Sequence, residues 1–181
     1  MKERILFLSI LSCTTMSCKH STTEPIAQSN LIMNSSFELD NTPTLQGWML
    51  GNSHLTKLVN EAPPGGGNWS LQLTSDWAPT TGYVYTSVSN VKSGDILKLS
   101  AFVRATGQYG GRGIIELVAG PSFYGQSAKT ASSTDTVWTQ ISLIDTVLLM
   151  PNDTLWVVLS SPITELIPFQ QRFDLIELES Q

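Results

Sequence analysis

The chain has 181 residues, with 10 Lys plus Arg against 15 Asp plus Glu and a formal net charge of −5. That length suits one domain, at most with a tail, and is enough to bury a core without staples. Charged residues are 14% of the chain, well below the ~25% of an average soluble domain. The lack of a basic excess argues against a nucleic-acid binder. The apolar content argues against disorder, and no apolar run nears the ~20 residues of a transmembrane helix.

The chain opens with Met1-Lys2-Glu3-Arg4, followed by Ile5-Leu6-Phe7-Leu8-Ser9-Ile10-Leu11. A short charged stretch and then an apolar run is the pattern of an export signal rather than a fold element. Both cysteines, Cys13 and Cys18, follow closely. Ser17-Cys18-Lys19 resembles the end of a bacterial lipoprotein signal of the Bacteroidetes type, in which cleavage precedes the cysteine and its thiol receives lipid. Cys18 is preferred to the alternative, Cys13, which leaves an apolar run of only about seven residues. Thr15 stands where such signals prefer Leu; a plain secretory signal with incidental cysteines is the competing reading. The expected division is a signal peptide over 1–17, a lipidated, disordered tether over 18–29 and a folded body over 30–181. The mature chain would keep 164 residues, 8 of them basic and 14 acidic. With no cysteine in the folded body, disulfides and thiol catalysis are not expected. The expected location is the bacterial cell envelope, at the outer membrane, with the lipid bilayer and envelope proteins as partners.

From Asn30 the apolar pattern has period two. Strands are predicted over 31–38, 45–50, 54–60, 69–75, 82–89, 95–105, 113–119, 136–145, 153–160 and 171–178. In 95–105, Leu97, Leu99, Ala101 and Val103 share one face; in 136–145, Val137, Thr139, Ile141 and Leu143 do; in 153–160, Leu155, Val157 and Leu159. Breakers fall between strands, at Pro63-Pro64-Gly65-Gly66-Gly67, Ser93-Gly94-Asp95, Gly110-Gly111-Arg112-Gly113 and Pro151-Asn152-Asp153. No helix of ten or more residues is predicted. About ten short strands at this spacing predict an all-β chain, a two-sheet antiparallel sandwich of jelly-roll type in which the terminal strands pair.

Several segments, in order, carry a family resemblance. They are Asn34-Ser35-Ser36-Phe37-Glu38 with Gly47-Trp48, Gly67-Asn68-Trp69-Ser70-Leu71, and Gly94 through Leu99-Ser100 to Val103-Arg104. Trp138-Thr139-Gln140 and Phe173-Asp174-Leu175-Ile176-Glu177-Leu178 follow. Together they resemble carbohydrate-binding modules of the family 4/9/16/22 type, related to galactose-binding domains, over residues 30 to 178. The resemblance implies a jelly-roll sandwich, a glycan ligand and one structural calcium served by Glu38 and Asp174. Calcium takes six to eight oxygens, so two carboxylates from opposite chain ends would satisfy part of its shell and staple those ends. Leu175 replaces a second Asp of the family pattern. The alternative is a Glu and an Asp capping strand ends without metal.

Catalysis is not expected. His20 lies in the tether and His54 is the sole histidine of the body; no Gly-x-Ser-x-Gly elbow accompanies it, and a zinc set is missing. Glu61, Asp76, Glu116 and Asp145 are available carboxyls, but nothing in the sequence pairs them as a glycosidase requires. Sugars need flat aromatic faces together with polar side chains that pair their hydroxyls. The candidates are Trp77, Tyr83, Tyr85, Tyr109, Phe123 and Tyr124, with Arg104, Arg112, Glu116 and Gln126 nearby. Tyr83 and Tyr85 share a face, which is equally a core stripe or a platform. Arg104 faces solvent, reads a ligand or pairs with Glu116. Trp48, Trp69, Trp138 and Trp156 are expected mostly in the core. The expected function is non-catalytic carbohydrate binding by a surface lipoprotein; the alternative is a structural or protein-interaction sandwich without a sugar site.

Overall fold

The structure is a computed structural model that describes residues 29–76, 80–124, 126–162 and 168–181, and leaves the side chains of 126–128 undescribed. Cys13, Cys18 and Trp77 lie outside the described residues, as does the Gln126 side chain. Twelve strands occur among them, in chain order: β1 Glu38–Leu39, β2 Thr42–Pro43, β3 Met49–Leu50, β4 Thr56–Val59, β5 Ser70–Thr74, β6 Tyr83–Val88, β7 Ile96–Ala105, β8 Gly113–Gly120, β9 Gln126–Ser133, β10 Thr139–Thr146, β11 Thr154–Ser160 and β12 Gln170–Ser180. The described helical structure is one 3-10 turn, Ser53–Leu55. Two antiparallel five-stranded sheets pack face to face. One has the order β10-β7-β12-β5-β4, the other β3-β6-β11-β8-β9, and β1 pairs with β2 in a small ribbon. This is the expected β-sandwich.

The interior follows from the period-two pattern. Leu97, Leu99, Ala101 and Val103 of β7 are wholly buried, and face Ile115, Leu117, Leu155, Val157 and Leu159 of the other sheet. Each such Leu, Ile or Val side chain stabilises the fold by ~1.5–3 kcal/mol, and the Ala101 methyl by less. In β12 the alternation breaks. A register shift between Asp174 and Glu177 inserts an extra residue, and Leu175 adopts φ 49°. Phe173 points inward before the bulge, and Ile176 and Leu178 do so after it. Alternation with Phe173 leaves Asp174 on the outer side of its sheet, opposite Phe102, and the bulge after it returns Ile176 and Leu178 to the interior.

Four expectations are corrected. The predicted strand over 31–38 is mostly bends, although it is tied to β12. Leu31 N–H donates to Leu178 O and Ile176 N–H to Ser35 O, both at 2.9 Å. The Asn30 side chain adds a bond to Ile176 O and another from Leu178 N–H, at 2.8 and 3.0 Å. The pairing of the terminal segments is therefore real, but an amide side chain does part of a backbone's task. Val137, placed in the predicted strand 136–145 on one face with Leu143, is 68% exposed and precedes β10, which begins at Thr139. Of four tryptophans expected in the core, Trp48 is buried, whereas Trp69, Trp138 and Trp156 are half-buried. Finally, β9 was not predicted: its sequence, QSAKTASS, is polar on both faces and forms a sheet edge.

The strands give the sandwich two distinct poles. β7 starts at one pole, and there Gly94 N–H reaches Val147 O and Gln181 N–H reaches Ile96 O. The antiparallel run of 31–35 along β12 brings the chain in from this pole. At the other pole β6 begins, β11 ends and β8 begins, with Ser160 opposite both Tyr83 and Ile114.

Candidate functional site

Alternation on β6, β11 and β8 sends one set of side chains to the outer face of the second sheet. Register places Tyr85, Val158 and Glu116 in one row across the three strands, and Tyr83, Ser160 and Ile114 in the next row toward the second pole. Ser87, Trp156 and Val118 form a third row on the other side. After Gly120 the chain folds back over this face. Phe123 stacks on Tyr85 with ring centroids 3.8 Å apart, and meets Trp156 edge-on at 6.4 Å. Trp156 Nε1–H donates to Gly120 O at 3.3 Å, pinning the start of the arch. The Tyr83 and Tyr124 hydroxyls are hydrogen bonded at 2.6 Å, which fastens its tip. The Tyr83 ring occupies the space that a side chain on Gly51 would need.

Between arch and sheet lies a cavity of about 360 Å³, walled by residues that include Tyr83, Ile114, Glu116, Phe123, Tyr124 and Val158. That volume is at the low end for ligand sites, which run ~300–1,000 Å³. Tyr124 is 73% exposed at the mouth. Glu116 is half-buried, and its carboxyl accepts no hydrogen bond from the described residues. Loss of water raises its pKa above the usual carboxylate range. The Ser161 hydroxyl, also in the wall, is buried without a partner. The Tyr83 phenol is pushed up to about 12, first by its bond to Tyr124 and then by burial, so it stays protonated at neutral pH.

Of the residues singled out from sequence, Tyr83, Tyr85, Glu116, Phe123 and Tyr124 are brought together here, and the aromatic pair on β6 is an outer cluster rather than a core stripe. Arg104 belongs elsewhere. It lies on β7 in the opposite sheet, beside Arg172, and both guanidinium groups pair with Glu61. Pairing of Arg104 with Glu116 is therefore corrected. Arg112 is exposed, and its Nε–H donates to Ser132 Oγ at 3.1 Å. Tyr109, 52% exposed in the turn before Gly110, is not part of the cavity wall. Sequence reasoning missed Trp156 as a member of the cluster. Its place between the inward-facing Leu155 and Val157 was the available signal.

A second constellation joins the chain ends. Asp174 is wholly buried; its Oδ1 accepts from Leu175 N–H at 2.8 Å, and its Oδ2 has no partner. Glu38 accepts from Asn68 N–H at 3.1 Å. Asp174 lies over Gly66 and Glu38 over the adjacent Gly67, where any side chain would collide with them. Burial, and then the neighbouring Glu38 charge, push the Asp174 carboxyl up to about 8. Phe37 and Leu175, which adjoin the two acids, hold left-handed φ values of 57° and 49°, a strained geometry for bulky residues. An orphaned carboxylate oxygen, a second acid and a glycine cradle fit a divalent cation completed by main-chain oxygens.

Comparison with solved structures shows where else this architecture occurs. A family 22 xylan-binding module from Paenibacillus barcinonensis Xyn10C aligns with TM-score 0.58 and 16% identity, over 85% of this chain and 96% of that one. The fold is that of carbohydrate-binding modules. A family 61 module (TmCBM61) solved with β-1,4-galactotriose aligns with TM-score 0.54 and 13% identity, over 84% of this chain and 99% of the module. An arabinose-bound GH51 α-L-arabinofuranosidase aligns with TM-score 0.59 and 20% identity, over 84% of this chain; the chain spans about a quarter of that enzyme, 26%. The same architecture is found in a Fischerella cyclase solved with an indole ligand, with TM-score 0.59, 12% identity and coverage of 85% and 98%. No protein-family model matches the chain, and no curated protein does.

Proposed function

We propose that this chain is a non-catalytic carbohydrate-binding protein, held at the bacterial outer membrane through lipid on Cys18, or on Cys13. The observation that carries the binding reading is the aromatic-walled cavity under the Phe123–Tyr124 arch. It sets exposed ring surface beside the Glu116 carboxyl and the Ser161 hydroxyl, neither of which has a partner among the described residues. Rings cover the C–H faces of a sugar, and the polar groups pair its hydroxyls, which would be costly to bury alone. Solved neighbours, one in complex with β-1,4-galactotriose and one a xylan-binding domain, lend the reading support. In the non-catalytic reading, Glu116 is the carboxyl among the described lining residues: Glu61 pairs with arginines of the other sheet, and Asp145 lies on β10 of that sheet. One structural calcium at Glu38 and Asp174 completes the proposal. The test is a calorimetric screen of the purified chain against plant, algal and host oligosaccharides. Binding that is lost in Tyr124→Ala supports the reading. A blank across the whole panel overturns it in favour of an assembly or adhesion module.

A further inference from the structure

We infer that the cavity under the arch selects a saccharide that carries a protonated amine, that is, an amino sugar with its nitrogen unacetylated. This rests on the carbohydrate reading above and narrows it to one class of ligand.

The wall is mostly apolar, with rings from Tyr83, Phe123 and Tyr124 and aliphatic surface from Ile114 and Val158. Among its described lining residues, one is a carboxyl, Glu116. Its register neighbours are Val158 on β11 and Thr130 on β9, and Ile114 and Val118 share its strand face. Arg112, the cation next along that face, is engaged by Ser132 Oγ. No described residue offers Glu116 a hydrogen bond or a counter-charge.

A carboxylate half-removed from water and left unpaired is costly. A neutral sugar would relieve that cost with a hydroxyl alone. An alkylammonium relieves it with a charge-assisted bond, roughly twice as strong as a neutral one. The rest of the wall favours the same ligand. Aromatic faces attract a cation that comes within about 6 Å of their centroids. The two phenol oxygens, already 2.6 Å apart, retain lone pairs that can accept from an ammonium. The buried Ser161 hydroxyl stands ready for a ring hydroxyl of the same sugar.

The experiment compares three trimers by titration calorimetry on the full chain at about pH 6, where an amine with a pKa of roughly 7.7–8 is protonated. They are the glucosamine trimer, its N-acetylated counterpart and cellotriose. The expected result is that the glucosamine trimer binds about tenfold or more tightly than either neutral trimer. Glu116→Gln, which keeps shape and removes charge, should bring its affinity down to that of the acetylated trimer. Equal binding of the amine and acetylated forms overturns the inference and leaves the carbohydrate reading intact. So does a preference that survives Glu116→Gln. A failure of all three trimers, repeated across the wider oligosaccharide panel, overturns both.

Discussion

Tyr83 and Tyr124, 41 residues apart in the chain, share a hydrogen bond of 2.6 Å between their phenol oxygens. One belongs to a strand and the other to the arch that folds over it, so this bond holds the roof of the cavity to its floor. Tyr83→Phe deletes it while keeping the ring. Thermal melting should show a loss of about 0.5–1.5 kcal/mol, and saccharide affinity should fall several-fold. Unchanged affinity would mean that the arch is held by ring stacking alone.

Gly51 acts on the same site from behind, because the Tyr83 ring fills the space of the missing side chain. Gly51→Ala should displace that ring and weaken saccharide binding, with the secondary structure preserved in far-ultraviolet circular dichroism. Wild-type affinity in this variant would show that the Tyr83 ring can move at no cost to the site.

The acid pair at the chain ends predicts a metal-linked pH profile. Folded Asp174 titrates at about 8, whereas an unfolded Asp titrates near ~3.9. The folded state therefore binds the extra proton between those values. In chelator, stability is fully present below about pH 4 and declines as pH rises toward 8. Calcium needs the ionised carboxylate, so the rise in Tm on adding calcium should grow over the same interval. Asp174→Asn should abolish the calcium response and flatten the decline. Melting curves identical in calcium and in chelator would sink the metal proposal.

Glu61 is the hub of the two arginines. Its own side chain is 39% exposed, and those of Arg104 and Arg172 are 35% and 17% exposed. Solvent screening keeps such pairs weak, so Glu61→Gln should cost only about 1 kcal/mol in a denaturant titration. Neither Glu61→Gln nor Arg104→Ala should alter saccharide affinity, because Arg104 lies on β7 of the other sheet and Glu61 pairs with it there. A loss of binding in Arg104→Ala would restore that arginine to the ligand site.

The fold was largely legible because its core strands obey period two: Leu97, Leu99, Ala101 and Val103 are inward both by alternation and in space. Alternation failed where a strand buries almost nothing. Among the described side chains of β9, Ala131 packs, partly buried, against the core, and the polar sequence QSAKTASS carries no apolar alternation. The same rule put Tyr83 and Tyr85 on one face, but it could not say which face. That depends on β6 lying beside β11, a pairing of residues some seventy positions apart. The partner of Arg104 was illegible for a related reason. Glu61 precedes it by 43 residues in a loop, and no local pattern records which distant carboxylate a surface guanidinium meets.

The polarity of the sandwich sets the reach of the molecule. The first described residues join β12 at one pole, and the cavity rows of Tyr83, Ser160 and Ile114 lie toward the other. β7 runs between the poles for 10 residues, a span of about 33 Å at ~3.3 Å per residue. If the upstream segment is anchored as proposed, the sandwich would act as a rigid spacer and hold the cavity mouth about that distance from the anchor.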